Sequence, residues 1–376
     1  MIAGEASGDL HGANLVRAMK GLNPDIAVAG IGGQKMEDAG VEILVPCADM
    51  AVVGVTEVFS RLTTIVRAHL TMRSLLKNSP PDLLILIDYP EFNIYLARTA
   101  RRYGVQVLYY ISPQIWAWRR WRAKKIARRV DRMVVILPFE KEFYLKTGTG
   151  MAVDYVGHPL IDNVPHNMDK EGIKRELGLQ EGDLILGILP GSRGEEVKRL
   201  LPSMIGAAEI LSSRYPNLRC VISIAPTISP DLIQSAISKS PLKIITIPKD
   251  VYRILCICDL AMVASGTATL ETAIMGVPMI IAYRLSSFSF WFGKMVVRGV
   301  PYIGLVNLIA GEEVVPELIQ DEVTPQRLAD KALAILEDEN IEADMIKKLR
   351  MVKERLGSPG ASLRTARIAL QMMGGD

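Results

Sequence analysis

The chain has 376 residues, 44 Lys and Arg against 41 Asp and Glu, a formal net charge of +3 and 49% hydrophobic residues. That length exceeds one hydrophobic core and predicts two domains, the near-neutral charge does not nominate nucleic acid as a partner, and the longest apolar runs, 83–87 and 279–282, are strands too short to span a bilayer. The opening Met1-Ile2-Ala3-Gly4 lacks the parts of a secretory signal, which predicts a cytoplasmic protein, and Cys47, Cys220, Cys256 and Cys258 have neither zinc-ligand nor CxxC spacing and read as reduced packing residues.

In chain order, Gly4-Glu5-Ala6-Ser7-Gly8-Asp9-Leu10-His11-Gly12 follows the expected first strand and opens a helix to about Lys20. Its glycines allow a ligand to approach a helix N-terminus closely, or they form a turn with Ser7 or Asp9 as N-cap. A second strand is expected at 26–31. Gly30-Ile31-Gly32-Gly33 behind it is not a dinucleotide loop, because no acidic residue ends a strand about 20 positions on.

From 58 to 76 the apolar residues Val58, Phe59, Leu62, Ile65, Val66, Leu70, Leu75 and Leu76 alternate with Arg61, Arg67, Arg73 and Lys77. An interfacial amphipathic helix and a core-facing helix with a basic solvent side both fit this pattern.

The strand at 83–87 ends in Asp88, a candidate base for a nucleophilic hydroxyl; the alternative is an N-cap for a helix at 91–103. After the strand at 105–110, Trp116, Trp118 and Trp121 lie beside and among the basic residues Arg119, Arg120, Arg122, Lys124, Lys125, Arg128, Arg129 and Arg132. This combination suits an anionic lipid or a phosphate better than nucleic acid, for which no recognition module is present. Strands at 132–136 and 153–156 complete the first series, and the stretch from Gly157-His158-Pro159 to Lys170 reads as a linker.

The second series has strands at 184–189, 218–224, 243–247, 260–263 and 278–282. Between the first and its helix lies Leu189-Pro190-Gly191-Ser192-Arg193-Gly194, whose amides, hydroxyl and guanidinium suit a diphosphate although it is no P-loop. After 260–263 comes Ala264-Ser265-Gly266-Thr267-Ala268-Thr269-Leu270-Glu271, again aimed at anions, with Glu271 either accepting from ribose hydroxyls or capping its own helix. The apolar stretch 288–297 fits packing, acyl contact or subunit contact equally. Beyond Thr324 helices are expected at 325–337, 343–356 and 361–373.

The alternation of strands and helices predicts an α/β fold of two Rossmann-like parallel-sheet domains facing a cleft: 1–157, 171–323, and C-terminal helices 324–376 that pack back on the first domain or on a partner subunit. With no D-x-D pair, no H-x-x-x-H cluster and His11, His69, His158 and His166 scattered, no metal or other cofactor is expected.

On Gly4-Glu5-Ala6-Ser7-Gly8-Asp9, the segment Ser112 to Arg119, Leu137-Pro138-Phe139-Glu140, Val156-Gly157-His158-Pro159, Leu189 to Arg193 and Ala264 to Thr267, the sequence resembles the lipid A disaccharide synthases of Gram-negative bacteria from end to end. The resemblance implies an inverting glycosyltransferase of the GT-B type. Its substrates would be UDP-2,3-diacylglucosamine as donor and 2,3-diacylglucosamine 1-phosphate as acceptor, its products a β-1',6-linked disaccharide phosphate and UDP. It implies Asp88 as general base, with Gly191, Ser192, Arg193, Ser265, Gly266, Thr267, Thr269, Glu271 and Asn307 on the donor. Glu5, Ser7 and Gly8, with Asp9 and His11 of the same segment, would face the cleft.

An acylated substrate favours the interfacial reading of Val58, Phe59, Leu62, Val66 and Leu70, with Arg119, Arg120 and Arg122, and implies peripheral association with the inner-membrane surface; a homodimer is also implied. Against the family pattern, only three residues precede Gly4, which points to a short first strand or an upstream start. A UDP-N-acetylglucosamine 2-epimerase or related UDP-sugar enzyme, and a non-catalytic nucleotide-sugar-binding membrane protein, are the competing readings.

Overall fold

The computed structural model describes residues 1–50, 55–118, 120–165, 167–285 and 301–374; the side chains of 55–62 and of Trp118 fall outside that description. Val58, Phe59, Leu62, Arg119 and the stretch 288–297 therefore lie outside what is described.

Two contact units divide the chain, Met1–Asp162 with Leu356–Asp376, and Asn163–Arg355. The first is built on β1 (Ile2–Ala3), β2 (Ala29–Gly32), β3 (Glu42–Pro46), β4 (Leu83–Ile87), β5 (Gln106–Tyr110), β6 (Arg132–Val135) and β7 (Ala152–Tyr155), in the order β3-β2-β1-β4-β5-β6-β7. All neighbours are parallel. Every side chain of β4, Leu-Leu-Ile-Leu-Ile, is buried, because helices cover both faces of a parallel sheet and the strand must be apolar throughout. Each such side chain contributes about 1.5–3 kcal/mol of transfer free energy.

The second unit repeats the plan with β8 (Leu184–Leu189), β9 (Leu218–Ile224), β10 (Ile244–Pro248), β11 (Leu260–Ala264), β12 (Met279–Tyr283) and β13 (Glu317–Ile319), in the parallel order β10-β9-β8-β11-β12-β13. In each sheet the connections reverse direction beside the first strand, between β1 and β4 and between β8 and β11. Such switch points open a crevice at the carboxyl ends of the strands. The four segments singled out in the sequence, after β1, β4, β8 and β11, are the four loops at those ends.

Strands β3 and β13 were not expected. The first is a half-buried edge strand ending in Pro46, and the second has three residues, so neither carries a long apolar run. Strand β1 is only two residues long, yet Ile2 pairs with both Ile31 and Leu86 and holds the centre of the sheet.

Of the C-terminal helices, Pro325–Leu336 and Glu339–Arg355 belong to the second unit, whereas Ala361–Met372 packs on the helix Ala6–Leu22 of the first. Val156 and His158 fasten the start of the helix Ala361–Met372 and the turn before it. His158 N donates to Leu356 O at 2.8 Å, and Arg364 donates to Val156 O at 2.8 Å and to Ser358 O at 2.6 Å. Gly157 has φ +81, a backbone conformation that favours glycine, and a Cβ there would stand 3.1 Å from the Arg364 guanidinium, which would have to give way.

The helix Val55–Asn78 turns Ala68, Met72 and Leu76 into the core and leaves Val66 and Leu70 at 51% and 54% exposure among Arg67, Arg73 and Lys77. Among the described residues no helix is long and apolar enough to cross a membrane.

Candidate functional site

In the first unit the crevice is built around the end of β4. Asp88 and Tyr89 both adopt left-handed backbone, φ 44 and 45, at a cost of about 1–3 kcal/mol each. Buried groups enforce it: the Tyr109 hydroxyl donates to Asp88 O at 2.5 Å, and Asn93 Nδ2 donates to Asp88 O at 2.7 Å and to Ile87 O at 3.2 Å. The Tyr89 ring lies on Gly4, where a Cβ would meet it at 2.5 Å, and its hydroxyl donates to Met50 O at 3.0 Å.

The N-cap of the following helix, Pro90–Arg102, is Tyr89, with no side-chain capping bond, so Asp88 does not serve as that cap. Its carboxyl is pushed up to about 6, first by burial and then by the charge of Glu5, against a hydrogen bond from the Tyr89 amide. A half-buried carboxylate at a sheet switch point, poised near neutral pH, is equipped to take a proton.

The helix Ala6–Leu22 has Glu5 as N-cap and no side-chain capping bond, so neither Ser7 nor Asp9 caps it. Glu5 and Ser7 are exposed; Gly8 is buried, with a Cβ there 3.4 Å from Ala3. Asp9 is turned elsewhere: its buried carboxylate accepts from the amides of Gly33 at 2.7 Å, Met36 at 3.1 Å and Lys35 at 3.2 Å, holding the start of the helix Gln34–Asp38. His11 is lowered to about 4 by burial and the nearby Lys35 charge, His158 to about 3 by burial and His11, so both are neutral imidazoles.

Behind Asp88 lies a buried polar layer in which Ser112, Trp116, Leu137 and Glu140 belong to motifs named in the sequence without a role, whereas Tyr144 does not. Trp116 Nε1 donates to Glu140 Oε1 at 3.2 Å, the Leu137 amide donates to Oε2 at 3.1 Å, and the hydroxyls of Ser112 and Tyr144 pair at 2.8 Å. Glu140 is 1% exposed and pushed up to about 8, chiefly by burial. Tyr109 and Asn93 were missed too; a Tyr inside an apolar strand and an Asn inside a helix, each a buried polar group needing a partner, were the available signals.

Of the basic run, Arg122 forms a two-point pair with Glu91 at 2.6 and 3.2 Å, Arg120 Nε donates to Trp116 O at 2.9 Å, and Arg132 pairs with Asp154 at 2.7 Å. Trp121 remains 67% exposed, with the Arg122 guanidinium 5.6 Å from its ring centre, and Tyr95 is 56% exposed beneath Lys125.

In the second unit, Gly191 (φ +110) turns the chain from β8 into the helix Gly194–Arg214, whose N-cap is Arg193; Ser192 and Arg193 are exposed. Thr227 Oγ1 fixes the turn by donating to Ser192 O at 2.6 Å. After β11, Gly266 is the N-cap of the helix Thr267–Met275, with no atom within 4 Å of where a Cβ would stand. Ser265 is half-buried and Thr267 exposed. Two helix N-termini, with their unshared amides and positive dipole ends, thus flank this switch point.

Glu271 stands beyond the first turn and accepts from the Tyr252 hydroxyl at 3.2 Å, with burial raising its carboxyl, so it is not a capping residue. Thr269 is fully buried and donates to Gly266 O at 2.7 Å. Asn307 is likewise fully buried: Nδ2 donates to Val315 O and Glu317 Oε1, both at 2.8 Å, and Oδ1 accepts from the amides of Val314 and Val315 at 2.8 and 3.0 Å. Thr269 and Asn307 therefore shape the loops around them, while Ser192, Arg193 and Thr267 are the accessible polar groups.

The model of the lipid-A-disaccharide synthetase family matches residues 1–366. The lipid-A-disaccharide synthase of Geobacter sulfurreducens is 46% identical over 374 residues, 100% of this chain and 97% of the relative, and that of Geobacter metallireducens has the same identity and coverage. Among solved structures, the UDP-GlcNAc 2-epimerase of Neisseria meningitidis bound to UDP-GlcNAc has a TM-score of 0.65 at 11% identity, covering 96% of this chain and 97% of that one, a likeness of fold alone.

Proposed function

The chain belongs to the lipid-A-disaccharide synthetase family, and from that premise we propose how its own residues perform the transfer. The enzyme is a glycosyltransferase of the GT-B fold that joins two lipid A precursor sugars. UDP-2,3-diacylglucosamine gives its sugar to the 6-hydroxyl of 2,3-diacylglucosamine 1-phosphate; the acceptor oxygen attacks the anomeric carbon, the bond to the diphosphate breaks, the configuration inverts and UDP leaves.

The observation that carries this reading is Asp88 at the end of β4, held in left-handed backbone with its carboxyl lifted to about 6. It takes the acceptor hydroxyl proton as the new bond forms; such a base contributes about 10²–10⁴-fold. Arg193 and the helix N-termini at Gly194 and Thr267 stabilise the negative charge that develops on the departing diphosphate. Glu271, oriented by Tyr252, accepts from the ribose hydroxyls. These groups supply acid–base and electrostatic assistance without a metal.

The exposed Val66 and Leu70 among basic residues, with Trp121 and Tyr95 under cationic side chains, support peripheral attachment to the cytoplasmic face of the inner membrane, where the acyl chains reside. The homodimer stands as part of the same reading. The test is to supply both lipids in detergent and identify the product: a β-1',6-linked disaccharide 1-phosphate is expected, and a free or epimerised sugar contradicts the reading.

A further inference from the structure

The turn at Gly191-Ser192-Arg193 already holds an anion supplied by the chain itself. Glu196, in the first turn of the helix Gly194–Arg214, folds its carboxylate back over Gly191, and a Cβ on that glycine would fall inside it. The backbone of Ser192 and Arg193 and the Arg193 guanidinium favour the charged form of that carboxylate against its burial. These are the groups assigned above to the donor's diphosphate.

We propose that Glu196 competes with the nucleoside diphosphate for this one anion seat, so that the carboxylate leaves when the donor binds and returns as UDP departs. The inference rests on the assignment of the Gly191-Ser192-Arg193 turn to the diphosphate. The exchange keeps the turn preorganised and weakens retention of the product, because the leaving dianion is replaced at once by an internal charge.

Burial is the largest influence on Glu196 and raises its carboxyl, with Arg193 and the two amides pulling it back. Among the described residues Tyr283, at the end of β12, is the other titratable group that faces it; Glu195, Lys198 and Arg199 pair with one another at 3.0 and 3.2 Å. Acidification therefore vacates the seat by neutralising the carboxylate.

The test is calorimetric binding of UDP to the wild type, Glu196→Gln and Arg193→Ala from about pH 5.5 to about pH 8. Glu196→Gln is expected to bind UDP about tenfold tighter at the upper end, the worth of one competing charge-assisted hydrogen bond. The gap is expected to close on acidification; taking the difference between the two proteins cancels the titration of UDP itself. Equal or weaker UDP binding by Glu196→Gln, with Arg193→Ala impaired, overturns the competition and leaves the diphosphate assignment standing. Unchanged binding by Arg193→Ala removes the assignment itself. In a crystal structure with UDP the Glu196 carboxylate is expected to have left its place over Gly191; a carboxylate still there, with the diphosphate elsewhere, refutes the exchange.

Discussion

The hydroxyl of Tyr109 donates to the carbonyl oxygen of Asp88 at 2.5 Å, across two neighbouring strands of one sheet. Asp88 and Tyr89 are both left-handed, and Asn93 is the other side chain bonding the same carbonyl. Tyr109→Phe removes one of these two clamps. The expected result is a stability loss of about 1–2 kcal/mol in urea unfolding, a fall in kcat and unchanged affinity for UDP, whose proposed binding groups belong to the other unit.

Asp88 also links function to stability. Its folded carboxyl lies near 6, above the ordinary value of 3.8, so stability from this group is fully present below about pH 4 and is lost as pH rises through about 6. Asp88→Asn is therefore expected to lower turnover by about 10²–10⁴-fold while raising stability near pH 8 by up to about 3 kcal/mol. Denaturant titrations at about pH 4 and about pH 8 check the second part, with most of the gain at the higher pH.

The acid limb of the rate profile follows from the same group. As a base, Asp88 must be ionised, so kcat/KM is expected to climb with pH through about 6 and then level off. Glu5 is the charge that assists burial in raising it. In Glu5→Gln the limb should move to lower pH by a fraction of a unit; a limb that stays in place removes Glu5 from the electrostatics of the site.

Asn307 and Arg193 should separate architecture from binding. Asn307 is fully buried with four hydrogen bonds, so Asn307→Ala is expected to cost about 2–4 kcal/mol of stability. Arg193 is exposed, and Arg193→Ala should leave the unfolding midpoint unchanged while weakening UDP binding. Parallel melting and UDP titration of both variants distinguish the two roles.

Val66 and Leu70 face solvent one helical turn apart. Replacing both with Ser is expected to reduce co-sedimentation with anionic phosphatidylglycerol vesicles and to leave turnover in detergent micelles unchanged. Binding of the wild type should also fall with added salt. Undiminished sedimentation of the double variant would move the membrane contact elsewhere.

The doubly wound plan was legible because strands such as β4 and β11 are apolar on both faces and read as uninterrupted runs. The edge strands β3 and β13 escaped notice because an edge is half-exposed or short. The four crevice loops were legible from their glycines and hydroxyls, but the direction of individual side chains was not. Asp9 and Asn307 are polar residues in the expected segments, yet tertiary partners at Gly33–Met36 and Val314–Glu317 turn them inward. Nor could spacing reveal that Tyr109, Asn93 and Glu140, far apart in sequence, form the layer behind Asp88.

The most direct test of the account is UDP release by purified protein given both lipid substrates in detergent, compared with omission of the acceptor and with Asp88→Asn. The account predicts release that requires the acceptor and is lost in the variant, although the variant still binds UDP. Release without acceptor, or full release by Asp88→Asn, would contradict it.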